Sequence, residues 1–189
     1  MVKNILLNMK KIFIDGGARI GETIDVLLDK REDLKGCDVY LFECNSDHKA
    51  TLEEIAKTNK NYNFIVRDEA IWKENSEMQF YKSNDIWGDL GCTLDPSKKE
   101  SLDLANPRTV KTISFSDFLF SFDESDYLVV KLDIEGAEYE VIESILDSGA
   151  ITRIDELFIE WHDHFFTKSS LPLKQRLASY NIKINNNWM

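Results

Sequence analysis

Short apolar runs alternate with helix-like stretches along most of the chain, and this alternation restricts the fold more than any other feature. The runs are KIFID (11–15), DVYLFEC (38–44), YNFIVRDEAIW (62–72), MQFYKS (78–83), YLVVKLDIE (127–135), ELFIEWH (156–162) and IKIN (182–185). Several place apolar residues at consecutive positions, as strands covered on both faces do. Between them lie GETIDVLLDKRED, SDHKATLEEIAKTNK, SFSDFLFSF, AEYEVIESILDSG and LPLKQRLASYN. Val141, Ile142 and Ile145 form a helical stripe in the fourth of these, with Gly149 as its C-cap. Asn45 or Ser46 is the expected N-cap of the second. The pattern predicts an α/β fold: a doubly wound, mostly parallel sheet with helices on both faces.

With 189 residues and no repeat or linker-like tract, the chain reads as one domain over 1–189. A net charge of −11 disfavours nucleic acid and anionic membranes as partners. Cys37, Cys44 and Cys92 cannot all pair and lack metal-binding spacing, so free thiols in a reducing cytoplasm are expected. Lysines interrupt the opening MVKNILLNMKKIFI, which is neither a secretory signal nor a membrane span. Residues 84–107 form the one long irregular stretch, and Trp87, Gly88, Gly91 and Cys92 within it predict a lid.

The stretch IFIDGGARIGET (12–23) ends an apolar strand on a carboxylate and continues into glycines. Ligands of doubly wound sheets bind at the carboxyl ends of strands, where the strand order reverses. Ala18 breaks the dinucleotide G-x-G-x-x-G spacing, and no phosphate-loop lysine is present. Asp15 would repel a pyrophosphate but suits an ammonium group. Glu43, at the end of the second run, suits a bidentate hydrogen bond to two ribose hydroxyls. At the third strand end, Asp68 or Glu69 would flank an adenine amine, with Ala70 and Ile71 against the ring. A ligand with an ammonium group, ribose hydroxyls and adenine is S-adenosylmethionine. The competing interpretation is that each acid caps a turn.

FIDGGARIGET, YLFECNSD, DEAIW, VVKLDIEGAEYEVI and ELFIEWH, in this order, resemble the FkbM-like S-adenosylmethionine-dependent methyltransferases over roughly residues 10–165. The resemblance implies a Rossmann-like fold of the class I methyltransferase type and O-methyl transfer to hydroxyls of saccharides or related small molecules. It implies a glycine-rich cofactor loop of Asp15, Gly16, Gly17 and Gly21, continuing into Glu22 and Thr23. Glu43 would hold the ribose, with Cys44 and Asn45 beside it. The family sheet usually closes with an antiparallel hairpin, for which only IKINNNWM remains. Either that last strand is absent or a partner, as in a dimer, supplies the edge.

Methyl transfer from a sulfonium needs an aligned acceptor oxygen and a proton acceptor. Asp133 is the leading catalytic candidate and would also approach the cofactor. His162 is the candidate base, because its charge titrates near neutral pH. Alternatively, Asp133 with Glu160 or Asp163 would hold magnesium and acidify the hydroxyl. Glu135 and Glu138 read equally well as acids in a first helical turn. Trp87 and Trp161 suit either a sugar ring or the core, and Lys131 suggests a buried ion pair, with Glu160 a candidate partner. Two rival functions stay open: N-methyl transfer on the same scaffold, and a non-catalytic nucleoside-binding module.

Overall fold

The computed structural model describes residues 9–84 and 88–185, so residues 1–8 and Trp87 lie outside the described part. The strands are β1 (Lys11–Gly16), β2 (Asp38–Phe42), β3 (Asn63–Arg67), β4 (Ala70–Trp72), β5 (Ser76–Phe80), β6 (Arg108–Ser114), β7 (Tyr127–Leu132), β8 (Glu156–Ile159) and β9 (Lys183–Asn185). The α-helices are α1 (Glu22–Val26), α2 (Lys49–Thr58), α3 (Phe115–Phe120), α4 (Glu138–Ser148) and α5 (Leu171–Leu177).

Six strands form one sheet in the order β3-β2-β1-β7-β8-β9, with every neighbouring pair parallel. The chain winds outward from β1 through β2 and β3, then returns to the other side of β1 as β7. The order therefore reverses between β1 and β7, a Rossmann-like arrangement. β9 is the edge beside β8, and no antiparallel strand follows it among the described residues.

Alternation along β1 shows why the sheet is covered twice. Ile12 and Ile14 join the core on the α4 side, while Phe13 joins the α2 side with Val39, Leu41, Leu52 and Val129. All three β1 residues are essentially inaccessible, each contributing about 1.5–3 kcal/mol relative to exposure. α4 buries Val141, Ile142 and Ile145 and ends at Gly149, whose left-handed φ of 80° is the expected C-cap geometry.

Four local expectations change. The run 62–72 is two strands: β3 ends at Arg67, and β4 leaves the main sheet to pair with β6 in a small sheet ordered β4-β6-β5. β6 itself was not foreseen, because RTVKTIS mixes polar and apolar residues and only its end is buried. The first helix stops at Val26 and gives way to single 3-10 turns at Leu28–Lys30 and Glu32–Leu34. Arg31 lies between them in a non-helical conformation and reaches Glu156 across 3.0 Å. Finally, α2 starts after His48 without a side-chain cap, while Asn45 Oδ1 accepts the Asp47 N–H in a local turn.

Among the described residues no helix is long and apolar enough to cross a membrane.

Candidate active site

A cavity of about 330 Å³ opens at the carboxyl ends of β1, β2 and β7, where the strand order reverses. That volume lies within the range of small-molecule sites. Gly17, Glu22, Thr23, Glu43, Cys44, Asn45, Glu69, Ala70 and Asp133 line it, all expected from sequence. Ile71, Phe80, Leu90 and Leu94 supply its apolar wall.

The first loop wraps over the end of β2. Gly17 and Ala18 both donate their N–H groups to Phe42 O, at 3.1 and 3.0 Å. Arg19, at φ 46°, donates its N–H to Glu43 Oε2 at 2.9 Å, and Asn45 donates to Glu43 Oε1 at 2.7 Å. Glu43 is thus locked at the cavity wall, with acceptor lone pairs remaining on both oxygens. Burial raises its pKa, with the two backbone donors opposing. Beside it, Asn45 is 2% exposed, yet its Nδ2 has no hydrogen-bond partner. A buried, unsatisfied donor facing a cavity fits a ligand that brings an acceptor.

Four residues expected to touch the cofactor do not line the cavity. Asp15 is fully buried beneath the loop, with Lys131 Nζ 3.1 Å from its Oδ1. The same ammonium donates to Gly17 O at 2.9 Å and lies 3.5 Å from Asp133 Oδ2. Burial opposes the Lys131 charge, but Asp15 and Asp133 outweigh it and raise its pKa. Asp15 therefore holds Lys131 rather than a ligand ammonium. Lys131 is the buried ion-pair residue the sequence suggested, resting on Asp15 and Asp133 where Glu160 had been the candidate. Gly16 packs against Leu132 and Ile71, and Gly21, at φ 91°, packs against Ile55; both shape the loop. Asp68 points outward to Lys49 at 2.9 Å because β3 ends one residue earlier. Glu69 takes the cavity position, held by Arg67 at 2.8 and 3.0 Å.

On the other side of the cavity, Asp133, Glu135 and His162 converge. His162 Nε2 lies 3.7 Å from Asp133 Oδ1 and 3.5 Å from Glu135 Oε2. Its Nδ1 is 3.2 Å from Glu138 Oε1. Glu138 is completely buried and accepts the Ile134 and Gly136 N–H groups at 2.7 and 2.8 Å. Burial opposes the His162 charge, but Glu138, Glu135 and Asp133 outweigh it and push its pKa up to about 9. These carboxylates favour the protonated ring, so a role as base or as metal ligand requires it to give up that proton first. Burial pushes Glu135 up to about 7, with His162 and Lys98 opposing. Glu160 lines the cavity but stands outside this close group. Asp163 accepts from Tyr139 and Ser170, at 2.7 Å each, and supports the fold. Trp161 packs beside Tyr139, with ring centroids 5.7 Å apart, and is not part of the cavity lining.

The described part of the irregular segment lines the site through Asp89, Leu90, Cys92, Thr93 and Leu94. Asp89 contacts Arg19 Nη2 at 3.2 Å and His48 Nε2 at 2.7 Å. Thr93 Oγ1 donates to Glu135 O at 2.7 Å. The buried Lys98 Nζ reaches Glu135, Glu100 and Gly91 O at 2.7, 2.7 and 3.0 Å. Arg19, His48, Asp89 and Lys98 carried no sequence signal for the site, because they meet only through long-range folding. Glu135 did carry one: an acid just before a glycine, at a turn from strand to helix. Its φ of 55° is unusual for a non-glycine residue.

The fold and the cavity at its switch point define a Rossmann-like α/β domain of the class I methyltransferase type. The family model for the methyltransferase FkbM domain matches residues 15–181, so the chain belongs to the FkbM methyltransferase family. Searches of curated proteins and of solved structures returned no significant match.

Proposed function

We propose that the protein transfers the methyl group of S-adenosylmethionine to a hydroxyl of a saccharide or related small molecule. The observation that carries this reading is the course of the cavity, from Glu43 at the end of β2 to Asp133 beyond β7. Glu43 accepts the ribose hydroxyls, Asn45 Nδ2 donates to the ligand, and Ala70, Ile71 and Phe80 receive the adenine. The methionyl end then lies beside Gly17 and Asp133. In transfer, the acceptor oxygen bonds to the methyl carbon as the S–C bond breaks and its electron pair stays on sulfur. The hydroxyl proton must also leave. Asp133, Glu135 and Glu160 give the cavity acceptors for it, with His162 beside them once its own proton has left. Several carboxylates around the transfer point also suit an acceptor rich in hydroxyl donors.

Incubation with methyl-labelled S-adenosylmethionine and a panel of sugars and glycosides tests the reading. Label should appear on a hydroxyl oxygen and be lost in Asp133→Asn. Label on nitrogen, or no transfer to any hydroxyl compound, contradicts it.

A further inference from the structure

Asp133, Glu135 and His162 leave β7 and β8 on separate segments, yet each offers one donor atom, and all three atoms lie within 4.8 Å of one another. We propose that these three residues bind a divalent first-row transition metal ion, with Glu138 orienting His162. Three observations carry the assignment.

The first is the imidazole. His162 is 3% exposed, and its Nε2 points between two carboxylates at 3.5 and 3.7 Å. Both distances exceed ordinary hydrogen-bond lengths of about 2.7–3.2 Å. The ring is aimed at a point between the oxygens rather than bonded to either. A divalent ion seated among these three donor atoms would take the place of the proton that the carboxylates otherwise favour on the ring, and its binding would release that proton.

The second is the support behind the ring. Glu138 faces Nδ1 at 3.2 Å and is itself fixed by two backbone N–H groups. A carboxylate behind a histidine sets the tautomer that presents Nε2 to a metal and strengthens that nitrogen as a ligand. The third is Glu135. It stands at φ 55° next to Gly136, and its Oε2 lies 3.5 Å from His162 Nε2.

Two carboxylate oxygens and one imidazole suit Mn²⁺, Fe²⁺ or Co²⁺ better than calcium or magnesium, which prefer oxygen-only shells. Lys98 competes for Glu135 Oε2 at 2.7 Å, and Glu100 and Gly91 O are its two other partners. Three protein ligands leave coordination positions open toward the cavity that Asp133 and Glu135 line. The ion's role rests on the methyl-transfer reading: it would polarise the acceptor hydroxyl and ease loss of its proton. Binding of the ion does not rest on that reading.

The test is titration of the metal-free protein with Mn²⁺, without methyl donor or acceptor, so its outcome is independent of whether methyl transfer occurs. The native protein should take up one Mn²⁺ per chain. His162→Gln and Asp133→Asn should bind at least roughly ten-fold more weakly, and Glu138→Gln roughly 10–100-fold more weakly. In the native protein, bound Mn²⁺ should broaden the ring proton resonances of His162 before those of His48, a readout that needs no variant. Absence of Mn²⁺ uptake, unchanged affinity in the folded His162 and Asp133 variants, or broadening of His48 first would overturn the assignment.

Discussion

Asp15 and Lys131 are directly paired in the β1–β7 register, and their charged groups meet at 3.1 Å with both side chains almost wholly inaccessible. This pair answers why an apolar strand ends on an acid. The carboxylate anchors a lysine that in turn holds Gly17 O and approaches Asp133, tying the glycine loop to the strand end across the switch point.

Removing one partner leaves a buried charge uncompensated. Lys131→Met should therefore destabilise the fold by about 3–5 kcal/mol. The double variant Asp15→Asn/Lys131→Met should recover part of that loss. Denaturant titration of the native protein, both single variants and the double variant gives the coupling. Additive losses would show that the pair does not act as a unit.

The Gly17 position is closed by protein rather than by a ligand. A Cβ there would lie 1.9 Å from the Asp133 carbonyl oxygen, and the residue sits at φ 77°. Gly17→Ala should lower stability by more than about 1 kcal/mol before any ligand is added. Gly36 has a nearly identical φ of 78° with nothing within 4 Å of its Cβ position, so Gly36→Ala should cost less. Thermal unfolding of both variants makes the comparison, and equal losses would remove the argument from close approach.

Glu156 gives a stability change with a defined direction in pH. Burial alone would raise its pKa, but Lys183 and Arg31, at 2.6 and 3.0 Å, outweigh it and hold it below the usual 4.5. A depressed carboxylate stabilises the fold above its unfolded pKa, and that contribution disappears as pH falls through the folded value. Glu156→Gln should be less stable than the native protein at pH 7, with the gap closing below pH 4.5. A gap that stays constant into acid would exclude this linkage.

Asp89 ties residues 88–91 to the loops that follow β1 and β2 through Arg19 and His48. Asp89→Ala should speed limited proteolysis within residues 84–107, and S-adenosylhomocysteine should slow it in the native protein. Equal cutting with and without ligand would leave the segment as ordinary surface.

Strands buried on both faces were legible because they need apolar residues at successive positions, as in Ile12-Phe13-Ile14 and Leu128-Val129-Val130. α4 was legible from its stripe and from Gly149. β6 was not, because a strand in a small, half-exposed sheet has no such run. The same logic divides the site. Glu43, Glu69 and Asp133 could be read from strand ends, since those ends converge in any doubly wound sheet. The Asp15–Lys131 pair depends on β1 lying beside β7, and the Arg19–Asp89–His48 contacts depend on how the long segment folds back. His162 was visible as a histidine at a strand end, but its setting depends on Glu138, which the sequence places only in the first turn of α4 and which the fold brings to 3.2 Å from the ring.

The central claim is that the cavity between Glu43 and Asp133 holds S-adenosylmethionine. Calorimetric titration with S-adenosylhomocysteine tests it most directly, comparing the native protein with Glu43→Ala. Each ribose hydrogen bond to the charged carboxylate is worth about 1.5–3 kcal/mol. The account predicts saturable binding to the native protein and at least roughly ten-fold weaker binding to the folded variant. A native protein that does not bind S-adenosylhomocysteine, or a folded Glu43→Ala variant that binds it with native affinity, would contradict the account.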